Sequence, residues 1–344
     1  MVNHPDHYGG ETNVYEVVKV CEAWGLDKDA YLFNVVKYVA RAGKKDTDKE
    51  LQDLKKALWY LDRKIQNLEK KMIENFTGKI LNGNCIEVMN ELPKSSIDLI
   101  VTSPPYGVNI KYDVHDDDME IEQYLDFTRN WLTQAFMLLK DDGRIALNIP
   151  YEINRQEKGG RIFFVSEVYQ VMKQIGFKFY GIVDLEEDSP HRSKTTAWGS
   201  WMSCSSPYIY NPKECVILAY KKNHTKKVKG EPQWKGVPTQ VEQEDGTFKT
   251  KVVYQEEDKK EFMELVFGQW KYLNDSRPLT KATFSMDIPT KAIKILSYKN
   301  DIILDPFNGS GTSCVAAEIL DRRWIGIELS ENIVTGKQIG RAHV

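Results

Sequence analysis

Apolar residues follow two different spacings along this chain, and the change comes near residue 75. In residues 1–75 they recur three or four positions apart, which is the spacing of one face of a helix. This spacing predicts helices over 15–24, 30–41 and 49–73. The longest helix carries one apolar stripe, formed by Leu51, Leu54, Leu58, Leu61, Ile65 and Leu68. We therefore predict a small all-α domain over 1–75, a bundle of three helices.

Beyond residue 75 the apolar residues gather in short continuous runs that are rich in branched side chains. Three such runs have the length of strands buried in a parallel sheet, and they lie at 97–101, 302–304 and 324–327. Two helix-spaced stretches are each followed by a strand-like run, at 119–139 with 144–149 and at 165–175 with 177–183. The pattern predicts an α/β domain over 76–333.

A short polar motif, Ser103, Pro104, Pro105 and Tyr106, comes directly after the first strand-like run. Ligands bind outside the carboxyl ends of strands in open α/β sheets. Consecutive prolines stiffen the loop and remove N–H donors, so the carbonyl oxygens are free to accept. The Ser103 hydroxyl and the Pro104 carbonyl could accept both hydrogens of an exocyclic base amine, and the Tyr106 ring could stack on an extruded base. The alternative is a rigid surface turn.

A second motif, DPFNGSGT from Asp305 to Thr312, follows another strand-like run and leads into a helix. Gly309 and Gly311 lie in the bend, an arrangement typical of nucleotide-binding loops. No Lys follows the glycines, so the loop lacks the charge of a phosphate-binding P-loop, and we predict an adenosine ligand without phosphates. Glu328 stands about 20 positions further on, the spacing at which an acidic side chain binds ribose hydroxyls.

These motifs together resemble the amino-methyltransferases of DNA, which methylate cytosine N4 or adenine N6 with S-adenosylmethionine. The similarity covers 82–328 and rests on NGNCIEVMNELPKSSIDLIVTSPPYG, and on ILDPFNGSGTSCVAAEIL followed by WIGIELS. The catalytic motif precedes the cofactor loop, as in the permuted beta group of that family. The resemblance implies a Rossmann-like methyltransferase sheet with helices on both faces, S-adenosylmethionine as cofactor and double-stranded DNA as substrate.

The resemblance also implies a role for individual residues. Ser103 and Pro104 would bind the target amine, with Pro105 in the same catalytic motif, and Tyr106 would stack on the target base. The cofactor site would comprise Asp305, Phe307, Asn308, Gly309, Gly311 and Thr312, with Glu328 on the ribose, Asn84 facing the adenine and Phe284 lining the pocket. The chain departs from the family pattern at Asn84, where Asp is commoner, and around Phe284, at Thr280 and Ser285.

The first catalytic residue bears on the choice of base. Family members with Ser at this position mostly resemble cytosine N4 enzymes, and members with Asp mostly resemble adenine N6 enzymes. A hydroxyl is also a weaker acceptor than a carboxylate, so the difference is physical as well as statistical. We favour cytosine N4, in site-specific DNA methylation, and keep adenine N6 as the alternative. Methylation of an RNA or protein amine, and a silent DNA-binding remnant, are further alternatives.

The region over about 185–280 is expected to recognise the DNA target. Arg192, Lys194, Trp198 and Trp201 combine cations with stacking rings, which suits nucleic acid, although the tryptophans could instead cover the sheet edge. A basic run follows that could bind phosphates or be solvated surface, formed by Lys221, Lys222, Lys226, Lys227 and Lys229. The formal net charge is −3 and the sequence pI is about 6.1, so any contact with DNA must be local.

The first 75 residues resemble a small phage-encoded domain that is sometimes described as a nucleotide kinase. The resemblance rests on HPDHY, VVKYVARAGKK and DLKKALWYLDR, and it suggests a phage or prophage gene. The segment has no phosphate loop, so no catalytic residue is assigned. A nucleotide or phosphate site, or merely surface charge, could be formed by His7, Lys37, Arg41, Lys44, Asp53 and Lys56. An accessory role, docking, or nucleotide binding or phosphorylation as the main activity are the alternatives.

Five scattered cysteines without a C-x-x-C pair indicate reduced thiols in a cytoplasm and no zinc site. The chain shows no signal peptide and no apolar stretch of about 18 residues, so we expect no membrane role. The resemblance allows a homodimer, since many relatives pair. Residues 334–344 show neither helical periodicity nor a cap, and we expect a non-native tail on a truncated reading frame.

Overall fold

The computed structural model describes residues 6–8, 14–106, 120–155, 160–187, 199–200, 202–207, 209, 211, 213–243, 247–273 and 285–331. The helices are α1 (Val17–Ala23), α2 (Ala30–Arg41), α3 (Glu50–Glu74), α4 (Cys85–Glu91), α5 (Ile121–Leu138), α6 (Phe164–Ile175), α7 (Glu256–Val266), α8 (Asp287–Leu296) and α9 (Thr312–Ile319). The strands are β1 (Lys79–Asn82), β2 (Ile97–Thr102), β3 (Leu139–Pro150), β4 (Ile153–Arg155), β5 (Gly160–Ile162), β6 (Lys178–Glu187), β7 (Glu214–Tyr220), β8 (Val237–Glu242), β9 (Phe248–Val253), β10 (Gln269–Tyr272), β11 (Ile302–Asp305) and β12 (Arg323–Glu328). These elements belong to two compact units, Met1–Asn75 and Phe76–Val344.

The second unit is built on one eight-stranded sheet in the order β1-β12-β11-β2-β3-β7-β6-β10. Neighbours from β1 to β3 are parallel, β7 runs antiparallel to β3 and β6, and β10 is parallel to β6. The carboxyl ends of β1, β12, β11, β2 and β3 therefore lie at one edge of the sheet. The amino end of β7 lies at the same edge because that strand is reversed. Loops that follow β2 and β11 must meet there.

Both faces of this sheet are covered by helices, as its burial pattern requires. All six residues of β2 are buried, because a central strand of a parallel sheet has no solvent-facing side. Leu99 and Val101 belong to a cluster that also contains Ile293 and Ala317 from α8 and α9. On the opposite face, Trp131 and Leu132 of α5 are fully buried. The predicted α/β architecture is confirmed.

The part of the chain expected to recognise the target contains more of the sheet than the sequence pattern indicated. Residues 214–220 and 269–272 form β7 and β10, two strands of the main sheet. The β8–β9 hairpin stands apart as a separate two-stranded sheet whose residues are mostly exposed. The reversal of β7 had no sequence signal, since its apolar run would suit either strand direction.

The basic run from Lys221 to Lys229 does not form a phosphate-binding row as a whole. Lys221 is buried and its ammonium donates to the Leu139 carbonyl at 2.7 Å. Lys226 is also buried and pairs with Asp301 at 2.9 Å. Their charges therefore fasten the chain after β7 to the sheet. Only Lys222, Lys227 and Lys229 of this run have exposed side chains.

The first unit contains the three predicted helices, but α3 packs through a different face from the one the apolar stripe suggested. Arg41 of α2 forms a bidentate ion pair with Asp53 of α3, with N–O distances of 2.9 and 2.6 Å. Tyr38 of α2 stacks on Tyr60 of α3 with ring centroids 5.6 Å apart. The six residues of the stripe are 38–64% exposed. The stripe is thus not the core of this unit in the part of the chain that the structure describes.

No helix among the described residues is long and apolar enough to cross a membrane.

Candidate active site

The two sequence motifs lie at the ends of neighbouring strands and are joined by a buried hydrogen bond. Thr102, the last residue of β2, donates from its hydroxyl to Oδ1 of Asp305, the last residue of β11, at 2.7 Å. The same carboxylate oxygen accepts the Phe307 N–H at 3.1 Å. Asp305 therefore fixes the start of the glycine loop and also holds it against the strand that carries Ser103. The sheet brings together residues that are about 200 positions apart in the sequence.

Ser103 lies in a network of polar side chains. Its hydroxyl is 2.7 Å from the Tyr106 hydroxyl, and Nδ2 of Asn148 on β3 donates to the Tyr106 hydroxyl at 2.9 Å. Asn148 Nδ2 is 3.4 Å from Ser103 Oγ and also donates to Oε2 of Glu214 at 2.7 Å. The ends of β2, β3 and β7 thus contribute one side chain or motif each. Tyr106 is held by its hydroxyl, so its ring has a fixed position beside Ser103.

The backbone of the proline loop is held in place by a hydrogen bond from α5. The Tyr124 hydroxyl donates to the Pro105 carbonyl at 2.8 Å, so this carbonyl is already occupied. The structure describes the loop only as far as Tyr106, and within it the Pro104 carbonyl is the acceptor that the sequence assigned to the target amine. The stiff loop and its buried support would hold such an acceptor in place before substrate arrives.

Burial shifts the proton affinities of three groups in this site. It raises the pKa of Asp305 to about 6, against the hydrogen bonds that this carboxylate accepts. It raises the pKa of Glu214, against hydrogen bonds from Asn148 and Tyr106. It also raises the pKa of the Tyr106 hydroxyl well above its ordinary value, and the Glu214 charge acts in the same direction. A cluster of shifted groups at the carboxyl edge of a sheet is typical of an active site.

The glycine loop makes a tight bend that requires its glycines. Gly309 and Gly311 both have positive φ, at +46° and +85°, a region that other residues rarely adopt. Asn308 lies beneath the bend, where its Oδ1 accepts from the Cys314 thiol at 3.0 Å. A Cβ on Gly326 of β12 would stand 2.6 Å from that same oxygen. The predicted cofactor residue Asn308 therefore supports the loop from inside the protein.

Phe307 and Glu328 flank the loop on two sides. The Phe307 ring packs edge-on against Trp131 of α5, with centroids 5.1 Å apart. Glu328 accepts the Gly309 N–H through Oε2 at 2.7 Å and the Ser330 N–H through Oε1 at 3.0 Å. The Glu328 carboxylate is half-buried at the end of β12. Along the chain, the loop ends at Thr312, the first residue of α9. At this surface the loop contributes backbone groups, and β12 contributes the Glu328 carboxylate.

Asn84 lies beside Glu328 because β1 pairs with β12. Asn82 is opposite Glu328 in the parallel register, and the Gly83 N–H donates to the Glu328 carbonyl at 3.0 Å. The Asn84 side chain caps α4 by accepting the Ile86 N–H at 2.9 Å. Its oxygen already accepts one hydrogen bond, and its second lone pair is the one that could accept from an adenine amine.

Several predicted site residues lie outside the described residues. They are the cofactor residue Phe284, the DNA-contact candidates Arg192, Lys194, Trp198 and Trp201, and the expected tail over 334–344. Ser285, next to Phe284, is described and donates its hydroxyl to the Leu273 carbonyl at 2.7 Å.

Three residues of the site, Thr102, Asn148 and Glu214, were not predicted from the sequence. Thr102 ends an apolar strand, and Asn148 interrupts one near its carboxyl end, so a search for polar residues at strand ends would have found both. Glu214 had no such signal because it begins β7, and only the reversed direction of that strand brings it to this edge.

In the first unit, three of the cations named for a nucleotide site gather around Tyr38. The Lys37, Arg41 and Lys56 charges lie 4.8, 4.6 and 5.5 Å from its ring centroid. Arg41 is committed to Asp53 and also donates to the Tyr8 hydroxyl at 3.2 Å. Because its donors already have partners, Arg41 is less available to a phosphate than the sequence pattern suggested.

Comparison with known proteins agrees with this geometry. The Type II methyltransferase M.MjaVI of Methanocaldococcus jannaschii is 43% identical over 152 residues, which are 44% of this chain and 75% of that protein. The Type II methyltransferase M2.MboI of Moraxella bovis is 28% identical over 267 residues, 72% of this chain and 82% of that protein.

Solved structures share the fold at low sequence identity. TTHA0409 of Thermus thermophilus, in complex with S-adenosyl-L-methionine, matches with a TM-score of 0.52 and 21% identity over 75% of this chain and 90% of that one. The PvuII DNA methyltransferase, named as cytosine-N4-specific, matches with a TM-score of 0.52 and 17% identity over 75% and 87%.

Two family models match different parts of the chain. Residues 2–62 match a family described only as a protein of unknown function, DUF3310, so the kinase description of the first unit has no support there. Residues 97–338 match the model described as DNA methylase. This match covers most of the chain and includes both motifs, and the chain belongs to the DNA methylase family.

Proposed function

We propose that this protein transfers a methyl group from S-adenosylmethionine to the N4 amine of a cytosine that has been rotated out of double-stranded DNA. The observation that carries the proposal is the Thr102–Asp305 hydrogen bond, because it holds the Ser103 loop and the glycine loop at adjacent strand ends. A methyl donor in one loop and an amine in the other would be neighbours.

The side chains around the glycine loop suit S-adenosylmethionine. No Lys or Arg occurs from Asp305 to Thr312, whereas the Asp305 and Glu328 carboxylates lie at its two sides. Such a set favours a ligand with a positive sulfonium and ribose hydroxyls over one with phosphates. When bound, S-adenosylmethionine supplies a methyl carbon whose bond to sulfur breaks with the electron pair left on sulfur. Glu328 would hold the ribose, and Phe307 and Asn84 would border the adenine.

The polar network around Ser103 would prepare the amine to attack. The Ser103 hydroxyl and the Pro104 carbonyl would accept its two hydrogens and return electron density to nitrogen. Tyr106 would support the base with its ring while its hydroxyl keeps Ser103 in place. The proton released by the amine would pass through the Ser103 and Tyr106 hydroxyls to the Glu214 carboxylate. Burial raises the pKa of Glu214, which makes it a better proton acceptor.

The experiment is to incubate the purified full chain with S-adenosylmethionine labelled in its methyl group and with unmethylated double-stranded DNA. The DNA is then digested to nucleosides and the labelled base is identified. Label on N4-methylcytosine supports the proposal. Label on N6-methyladenine would support DNA methyl transfer but make adenine, and not cytosine, the target base. Transfer only to RNA or protein in parallel reactions would contradict DNA as the substrate.

A homodimer and a nucleotide ligand of the first unit remain predictions. For the nucleotide, Lys37 and Lys56 beside the Tyr38 ring offer positive charge. Titration of labelled nucleoside triphosphates, with Lys37→Ala and Lys56→Ala as variants, would test that site.

A further inference from the structure

Helix α3 carries an apolar seam with the spacing of a coiled coil. The seam consists of Leu51, Leu54, Leu58, Leu61, Ile65, Leu68 and Met72. Its members alternate three and four positions apart without exception, which is the a and d pattern of a heptad repeat. An ordinary amphipathic surface helix shows a broader and less regular apolar face. The seam runs along almost the whole of α3.

Helix α2 does not cover the seam, because it packs on an adjacent face of α3. The residues of α3 that meet α2 or the residue before it are Asp53, Tyr60 and Lys64, through Arg41, Tyr38 and Asp29. In the heptad they occupy positions c and g, and their average direction around the helix lies roughly a quarter of a turn from that of the seam. All seven seam side chains remain exposed, from 38% at Leu61 to 64% at Leu51.

The exposed seam is large enough to form an interface. Its summed exposure equals between three and four fully exposed large apolar side chains, on the order of 600 Å² for one copy. Two copies joined along it would bury on the order of 1,200 Å², the lower end of the range for specific interfaces. A patch of this size on a monomer's surface favours association.

The charges beside the seam complement a second, parallel copy of the same helix. In a parallel pair, a g residue lies beside the e residue of the next heptad of the other helix. Glu50 would then face Lys55 of the other copy. Lys64 would lie opposite Glu69, but its ammonium is already paired with Asp29 of its own copy. The remaining pair, Ala57 with Asp62, contains no like charges. An antiparallel pair would instead bring the two copies of Asp62 near each other at the centre.

We propose that α3 joins two copies of this chain through the seam, in a parallel coiled coil. The proposal assigns the first unit a dimerisation role, independent of the methyl transfer in the second. It also explains why an apolar row is kept on the surface of a helix whose other faces are highly charged.

The experiment measures the oligomeric state of the full chain by sedimentation equilibrium over a range of concentrations. We expect a monomer–dimer equilibrium, weakened at least a hundredfold by Leu58→Asp, which places a charge in the middle of the seam. The matched control is Trp59→Asp, which adds the same charge at an equally exposed apolar residue next to the seam and should leave the dimer intact. Circular dichroism of each variant reports whether its helices are retained.

A charge swap tests the partner and the direction without touching the seam. Lys55→Glu would place a second carboxylate beside Glu50 of the other copy and weaken the dimer several-fold, and Glu50→Lys would do the same by pairing two ammonium groups. The double variant should restore the dimer. Residues five apart on one helix do not face each other, so this rescue can arise only between copies.

A monomer at every concentration would overturn the proposal. The partner of the seam would then be the chain's own second unit or another protein. A dimer that Leu58→Asp does not weaken would also overturn it. If Leu58→Asp loses its helices, the charge-swap series decides, because Glu50 and Lys55 are exposed. Weakening without rescue would contradict the parallel pairing.

Discussion

Ser103 is the side chain on which the proposed chemistry depends most directly. Ser103→Ala removes one of the two acceptors for the amine, together with the partner of the Tyr106 hydroxyl. We expect kcat to fall by about a hundredfold, since losing one preorganised electrostatic contact has an effect of this order. The KM for S-adenosylmethionine should change little, because Ser103 is on the substrate side. Steady-state kinetics of label transfer measure both.

A matched control for this change is Thr47→Ala, which removes an exposed hydroxyl in the first unit. Its kinetic constants should equal those of the parent. Full activity in Ser103→Ala would mean that the Pro104 carbonyl is sufficient or that the motif does not bind the amine.

Glu214 is expected to set the acidic limb of the pH–activity profile. Burial raises the pKa of Glu214, so its proton is lost at a higher pH than from an ordinary glutamate. If the carboxylate accepts the amine proton, kcat rises with pH through this raised pKa. Glu214→Gln should lower kcat and flatten that rise. A lower kcat with the same pH profile would instead mean that Glu214 only positions Asn148.

Asp305 makes a contribution to stability that decreases as pH rises. Burial raises its pKa from 3.8 to about 6, so the native state holds this proton more tightly than the unfolded chain does. Between about pH 4 and pH 7 the unfolding free energy of the parent should fall by about 2–3 kcal/mol relative to Asp305→Asn. Urea unfolding at a series of pH values gives this difference. A constant difference would contradict the raised pKa.

How far individual side chains could be predicted depended on the strand that carries each one. Ser103 and Asp305 follow strands that the apolar pattern revealed, and the parallel arrangement alone placed them at one edge. Glu214 could not be placed, because no local pattern distinguishes a reversed strand from a parallel one. Its burial and its contact with Asn148 depend on pairing across the sheet.

Strand β12 and the glycine loop are packed too closely for any added atom. In Gly326→Ala the new Cβ would stand 2.6 Å from Asn308 Oδ1 and 3.1 Å from the Cys314 sulfur, both buried. Because both neighbours are buried side chains, we expect a loss of about 1–3 kcal/mol in unfolding free energy and weaker cofactor binding. Thermal or chemical unfolding with and without S-adenosylmethionine tests both effects.

Gly181→Ala on β6 is the matched control, since a Cβ there meets nothing within 4 Å. It should be close to neutral. If both variants lose stability equally, the cause is the backbone of the strands and not the contact with Asn308.

The three predicted helices of the first unit and several buried strands could be located from the sequence, but their packing faces could not always be inferred. On α3 the leucine row gave the correct helix but not the face on which α2 packs. The ion pair of Asp53 with Arg41 and the stacking of Tyr60 direct α2 to another side. A periodic apolar row shows that a helix surface is covered by something, without showing whether the cover belongs to the same unit.

The two compact units should respond differently to the cofactor. All the proposed cofactor residues belong to Phe76–Val344, so a ligand bound there stabilises that unit by mass action. At a hundredfold excess over Kd the gain is about 2.7 kcal/mol, or about 5–10 °C in Tm for a unit of this size.

Differential scanning calorimetry should therefore show one transition that rises with S-adenosylmethionine and one that does not. The responsive transition is identified by Gly326→Ala, which should lower it alone. A single transition that moves as a whole would mean that the units unfold together.

The pairing of β1 with β12 constrains how the protein can be made. β1 leaves the ribosome early, yet its hydrogen-bonding neighbour in the sheet is the last strand of the chain that the structure describes. Until β12 has been synthesised, β1 exposes an unsatisfied edge, and the glycine loop has no Glu328 to hold it. The sheet of the nascent chain therefore cannot be completed before β12 has been synthesised. Long-range strand pairing of this kind folds slowly. Catalytic competence would arise in a single event that cannot precede the synthesis of β12.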